Sequence, residues 1–418
     1  MTIPMTVPAA RPTNGRSRFA DPLWVAAHSI IGAMPVVMAI AHRSSTLVLA
    51  VAMVAALAAM AVEGRAREWL AEAAAALRTP LGLAVLGFLG FAALSITWSV
   101  VPGTSLQALA EFGLTLAGAF VLALALPQRM PQRRPLLLAF STALACVLIL
   151  LQLWTDVAVR RAFGLRAEEF IFNRPSLTVL VLSIPLAWLL LRSGYRRVGA
   201  GALALAAGTV VQSESGAAVL GLLAAVAVYA LARYSGRAAV SVVALCVAVA
   251  ILLAPVIGAA AERVLPASVH ESLARANTRA RVEIWKTFGE AVRQDPVLGK
   301  GFGVSPSFAE TRAAHEVRPN DPSALTLWHP HNAALQIWVE LGLVGAALGM
   351  IVVMLLLKRI ARLPGEFQAV SLTLVAAIVV VSLVGHGAWQ GWWPAAVGAA
   401  IVWLRAAREV LRGHDEVV

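Results

Sequence analysis

The stretch WHPHNAALQIWVELGLVGAALG, Trp328 to Gly349, sets two imidazoles, His329 and His331, and the amide of Asn332 where a long polar segment gives way to an apolar one. Pro330 suits the first position of a helix, because its ring fixes φ and its missing N–H costs nothing there. The backbone amides near His331 and Asn332 are then expected as unpaired helix-start donors, which attract anions and disfavour an imidazolium. A neutral His331 accepts a proton near pH 7, which is the chemistry of a general base. The plainer reading is a hydrogen-bonded anchor at a membrane interface. His329 and His331 have no obvious third carboxylate or cysteine partner nearby, which argues against a metal site.

Upstream, NTRARVEIWKTFGEAVRQDPVLGKGFG reads as an amphipathic helix that starts after Asn277 or Thr278 and stops before Pro296,. Arg275, Arg279, Lys286 and Arg293 share one basic stripe, whereas Arg281 projects among Ile284, Trp285, Phe288 and Val292 on the apolar face,. A guanidinium there is costly unless an anion or an acceptor cluster meets it, and its planar fork suits phosphate oxygens. The alternative is that it snorkels to Glu283 or to lipid headgroups. The following GKGFG lacks the Ser/Thr and the spacing of a nucleotide loop and reads as a tight turn,. Glu214 lies at an external turn and Arg174 begins a helix on the same side, both candidates to line the site, with Ser213, Ser215 and Asn173 as turn or capping residues. Glu340 lies further along the helix of His331, on its opposite side, where it would pair with another helix. The tryptophans of GHGAWQGWWP, around His386, read as an interface belt,.

The elements that position these groups are membrane helices. The chain has 418 residues, 60% of them hydrophobic and 13% charged, too apolar for a soluble domain of that length,. Cys146 and Cys246 both sit in apolar runs and read as small core residues rather than a disulfide or metal pair,. The net charge of +12 is mostly arginine in loops, and it implies no nucleic acid,. Splitting at charges, prolines and turns predicts an all-α polytopic protein with twelve spans, near 23–41, 44–62, 80–98, 105–126, 136–154, 175–191, 198–211, 216–231, 238–260, 331–357, 368–385 and 392–404,. Of these, 198–211 is shorter than the ~20 residues of a perpendicular span. With residues 1–22 and 405–418 as cytoplasmic tails, 20 of the 34 Lys and Arg fall inside, and the other 14 lie in two external segments plus Arg43,. The large loop 261–330, between the ninth and tenth spans, is then external, and a long loop with helical content is usually functional. A smaller external segment runs from Thr155 to Arg174. No short-period repeat and no pair of matching halves is evident.

These residues resemble the O-antigen ligase and polymerase family, whose best-known branch is the WaaL-like lipopolysaccharide O-antigen ligases. The resemblance is carried by RVEIW with Arg281, by GKGFG, by HPHNAALQIWVELGLVG, and by the large loop between spans nine and ten. It covers Arg174 to Leu357 locally and the rest by topology. One departure is Glu214, where family members often carry an arginine; Arg174 is the candidate to supply that charge. The resemblance implies a metal-independent glycosyltransferase with no cofactor, at the periplasmic face of a bacterial inner membrane. The donor would be a glycan on undecaprenyl pyrophosphate and the acceptor a sugar hydroxyl of lipid A-core. It further implies Arg281, with Arg174 or Arg279, holding the departing pyrophosphate. His331 would act as the base, or electrostatically toward the pyrophosphate, oriented by His329 and Asn332.

A polymerase of O-antigen or exopolysaccharide would use the same donor, as would an oligosaccharyltransferase acting on protein. The rival outside enzymes is a transporter of lipid-linked glycans, which requires charged residues along a path through the membrane. Here the polar groups gather at one face. Membrane lipids are the other expected partner, and nucleic acid is not.

Overall fold

The computed structural model describes residues 15–127, 134–266, 268, 271, 278–317, 319 and 322–415, and among these residues there is no strand. In chain order the helices are α1 (Gly15–Gly32), α2 (Met34–Ile40), α3 (Ser45–Glu63), α4 (Ala66–Leu77), α5 (Pro80–Ser95), α6 (Pro102–Ala125), α7 (Arg134–Trp154), α8 (Ala158–Ala162) and α9 (Asn173–Arg192). There follow α10 (Arg196–Gln212), α11 (Gly216–Tyr234), α12 (Gly236–Leu253), α13 (Ile257–Val264), α14 (Thr278–Val292), α15 (Arg312–Glu316), α16 (Ala333–Ile360), α17 (Gly365–Val384) and α18 (Trp392–Asp415).

Hydroxyl caps set several starts: the side chains of Thr79, Ser215 and Ser235 accept the N–H groups of Gly82, Ala218 and Ala238 ahead of α5, α11 and α12,. The capping role expected of Ser215 is therefore seen. Helices occupy all twelve expected positions, yet length and apolarity support nine spans among the described residues, or ten if the pair α1 and α2, bent by 50°, is one. The two positions outside that set have clear reasons. α10 has 17 residues, and the second half of α18 carries Arg405, Arg408 and Glu409. α1 begins at Gly15, inside the segment expected to be a tail, while residues 1–14 lie outside the described residues.

Helix α9 is the most enclosed, with 78% of its apolar window buried, and packs against α2, α7, α10, α17 and α18. Leu86, Leu114, Leu223 and Leu245 stand exposed on the outer helices α5, α6, α11 and α12. Such outward apolar faces on helices whose backbone is internally satisfied are those of a multi-pass membrane protein. Cys246 is on this outer surface rather than in the core; Cys146 is buried.

The helix expected from His331 to Leu357 instead runs from Ala333 to Ile360 and is broken at Gly342 (φ 61°, ψ −158°). The loop after α14 fills the break. Lys300 and Gly301 N–H donate to the carbonyls of Val339 (3.0 Å) and Glu340 (2.9 Å), and the N–H groups of Leu343 and Val344 donate to the carbonyls of Pro296 (2.8 Å) and Val297 (3.2 Å). GKGFG is thus a wedge that satisfies the backbone of an interrupted membrane helix, a demand that a free turn would not meet. Phe302, fully buried, anchors it against Trp389 and Phe112.

Candidate functional site

Asn332, not Pro330, marks the helix start: its Oδ1 accepts the N–H of Leu335 at 3.0 Å as the N-cap of α16,. The expectation that His331 donates a free helix-start amide is corrected by this. The His331 N–H donates to Nδ1 of His329 at 3.2 Å, and His331 itself adopts a left-handed backbone (φ 54°). For a residue with a side chain that conformation carries strain, which the surrounding contacts must hold. The two rings stand edge to face with centroids 4.2 Å apart. Helix α14 is tied to this turn by Trp285, whose Nε1 donates to the carbonyl of Pro330 at 3.0 Å.

The other half of the site is the C-terminal end of α17 with the non-helical segment that joins it to α18. Its backbone carbonyls collect the two principal side chains. Arg281 donates to the carbonyl of Val384, and Nδ1 of His331 lies 3.1 Å from the carbonyl of Gly385. A carbonyl can only accept, so His331 carries its proton on Nδ1 and presents a lone pair at Nε2. His386 follows, buried between Trp392 and Trp393 with centroids 4.9 Å from each, its Nδ1 donating to the carbonyl of Gly387 at 2.9 Å. Arg174, on the first turn of α9, lays its guanidinium over the Trp392 ring at 5.2 Å, a cation–π contact. Trp389, Trp392 and Trp393 are at most 8% exposed. They form the inner wall of the site and not the interface belt expected of them, because Trp389 packs against Phe112 and Phe302 and the other two rings pack against His386.

Electrostatics bind these groups into one cluster. Burial pushes His329 down to about 2, helped by His331, His386, Arg174 and Arg281. Burial also lowers His331, opposed by its hydrogen bond to Gly385 and aided by Arg281. Burial lowers His386 to about 4, and Arg174 and His331 add to it. All three imidazoles are neutral at pH 7, as the sequence suggests for His331, with desolvation rather than a helix terminus as the main cause. The native state then binds fewer protons than the unfolded chain below about pH 6.5, so these groups contribute stability above that pH and lose it as pH falls. His42, lowered to about 4 by burial and by Arg174, Arg43, Arg160 and Arg166, marks a cationic rim beside Arg174.

Two expected residues fall outside the cluster. Arg279 is exposed, since two residues turn about 200° around a helix and carry it away from the face of Arg281. Glu214 is exposed at the turn between α10 and α11. Arg275 lies outside the described residues, and Lys286 pairs with Glu262 at 2.9 Å. Among the described residues no three His, Cys, Asp or Glu side chains gather as metal ligands.

Glu340 is fully buried and accepts from the N–H of Gly303, from the N–H and hydroxyl of Ser305, from Nε2 of Gln336 (2.8 Å) and from Nε1 of Trp389 (2.6 Å). It was expected to pair with another helix; it pairs instead with the glycine wedge and the wall of the site. His386 and the Val384 and Gly385 carbonyls are likewise outside what residue types indicate, since a backbone acceptor leaves no mark in a sequence.

Residues 201–350 match the family model described as O-antigen ligase. That region holds Arg281, His329, His331, Asn332 and Glu340. The resemblance to the O-antigen ligase family is borne out. A protein named "Putative polysaccharide ligase" from Rickettsia felis is 24% identical over 79% of this chain and 80% of its own length. Relatives with that name from Rickettsia prowazekii and Rickettsia conorii are 30% and 26% identical over 43% and 49% of this chain. The chain aligns with 45% and 49% of the lengths of these two. Arg174 and the segment from Val384 to Trp393 lie beyond the matched region, so the structure joins them to the O-antigen-ligase-like part.

Proposed function

We propose that this protein is a glycosyltransferase that moves O-antigen glycan from undecaprenyl pyrophosphate to a sugar hydroxyl of lipid A-core at the periplasmic face of the inner membrane. The observation that carries this reading is the meeting of a neutral His331 with Arg281 and Arg174 around one segment, Val384 to Trp392, at one end of the bundle. In the step, the acceptor oxygen forms a bond to the anomeric carbon while the bond from that carbon to the pyrophosphate oxygen breaks. The leaving group keeps the electron pair, and Arg281 and Arg174 offset its charge. Nε2 of His331 takes the acceptor proton, with the tautomer fixed by the carbonyl of Gly385. His329 orients His331 through the backbone N–H it accepts, and Asn332 acts through the helix start it caps. The two arginines supply the charge that a metal would otherwise bring, and the lipid-linked donor carries its own pyrophosphate leaving group, so the reaction needs neither metal nor nucleotide sugar. Gathering of polar groups at one face, rather than along a path, favours this over transport.

Deletion of the gene tests the reading. Full-length polymer should accumulate on undecaprenyl pyrophosphate while lipid A-core stays bare, and wild-type complementation should reverse both. Single repeat units in both pools would make the protein a polymerase, and unchanged pools would direct attention to exopolysaccharide or glycoprotein acceptors.

A further inference from the structure

Resting on that functional reading, we infer that Glu340 is the positioning residue of the site: its carboxylate latches the 296–305 wedge and the 384–391 segment to the helix that begins beneath His331. Three segments meet at this one side chain. The wedge contributes Gly303 and Ser305, α16 contributes Gln336, and the wall segment contributes Trp389. Each of these groups is turned to donate, so the two carboxyl oxygens serve as the acceptors that join the three segments. Gln336 extends the latch, because its Oε1 accepts the N–H of Ala388 at 2.8 Å, which turns its Nε2 toward Glu340. The main-chain carbonyl of Glu340 also accepts from Gly301.

The consequence lies a few residues away. Arg281 reaches the site from α14, whose chain leads directly into the wedge, and it rests on the Val384 carbonyl. His331 stands one residue before the cap of α16 and rests on the Gly385 carbonyl. Val384 and Gly385 are five and four residues from Trp389, and Ala388 lies between. Fixing the wedge and the wall segment to one buried carboxylate therefore fixes the arginine and the histidine relative to each other. A loss of transition-state alignment follows when that point is released, since small displacements of reacting groups cost large factors in rate. Glu340 touches no substrate in this account and acts through His331 and Arg281.

The test uses the full-length protein in lipid nanodiscs, with undecaprenyl-pyrophosphate-linked glycan from the deletion strain as donor and lipid A-core as acceptor. Glu340→Gln keeps the shape of the side chain and sets an NH₂ against groups that donate. Its kcat should fall by at least about tenfold while the KM for the donor stays within about twofold. In a His331→Ala background the same substitution should cost clearly less than in the wild type, because the part of its effect that acts through that residue is already lost. Trp389→Phe, which removes one donor and keeps a ring, should give a smaller loss of the same kind and serves if Glu340→Gln does not accumulate. Losses that multiply with His331→Ala, a rise in KM alone, or full activity would each overturn the proposal. Hydrogen exchange separates this from the functional reading. Amides of 301–305 and 386–391 should lose protection in Glu340→Gln whether or not the wild type transfers glycan, and unchanged protection there would defeat the latch. A wild type that transfers nothing defeats the functional reading alone and leaves the latch to be decided by exchange.

Discussion

Arg281→Ala lowers the rate of glycan transfer by about 10² to 10³, the cost of removing one group aimed at charge developing on a leaving group. The size follows from its setting. Arg281 is half-buried, it donates to the neutral carbonyl of Val384, and burial lowers its pKa from the usual arginine range. A desolvated guanidinium on a neutral acceptor is poised to exchange that contact for phosphate oxygens, where an anion stabilises it far more. Arg281→Lys should recover only a small part of the loss, because an ammonium lacks the planar fork that can hold the carbonyl and phosphate at once. Steady-state kinetics of both variants, at equal abundance in membranes, check this. Transfer by Arg281→Ala within about threefold of wild type would remove the arginine from the chemistry.

The largest structural effect is expected at Gly342. Its backbone, at φ 61° and ψ −158°, is one that only glycine adopts readily,. A Cβ there would stand 2.3 Å from the carbonyl oxygen of Val297 and 2.7 Å from the N of Gly299, both backbone atoms that cannot swing aside. Strain and overlap together put the cost of Gly342→Ala at about 2 to 4 kcal/mol. The thermal unfolding midpoint in detergent should fall accordingly, with loss of the 296–305 wedge before the rest of the bundle. Gly349→Ala, in the same helix, is the informative comparison: its Cβ would meet only the side chains of Ile337 and Phe88, at an ordinary 3.8 Å, and its backbone has no positive φ. Equal effects at the two positions would mean that the helix break does not hold the wedge.

Arg281 and His331 are legible in the sequence because their types are wrong for their places: a guanidinium on an apolar helix face, and an imidazole pair at the mouth of an apolar helix. The path from there to the site is hidden, since both rest on backbone carbonyls of Val384 and Gly385, which no side chain announces. Pro330 points to the wrong helix start, because proline favours a first position but does not outweigh an asparagine two residues on that can cap with its side chain. Glu340 misleads for a related reason. Helical angle correctly turns it away from His331, but the glycine two residues later breaks the helix and lets a loop, rather than another helix, reach it. The tryptophans after His386 have the composition of a lipid interface, and only their packing against His386, Phe112 and Phe302 shows them as an inner wall. For the bundle itself, apolar runs predict helices at all twelve places; α10 and α18 fall short of span criteria because one is short and the other ends in charges.

The most direct measurement is transfer by purified wild type and His331→Ala in nanodiscs, with undecaprenyl-pyrophosphate-linked glycan, lipid A-core, no nucleotide and no ion gradient, across a range of pH. Wild type should transfer, and His331→Ala should be slower by about 10² to 10⁴ at unchanged abundance. Because His331 titrates below the ordinary histidine value, the wild-type rate should hold as pH falls through about 6.5 and drop only at lower pH. A His331→Ala rate within about threefold of wild type, or an acid limb that persists unchanged in that variant, would contradict His331 as the proton acceptor.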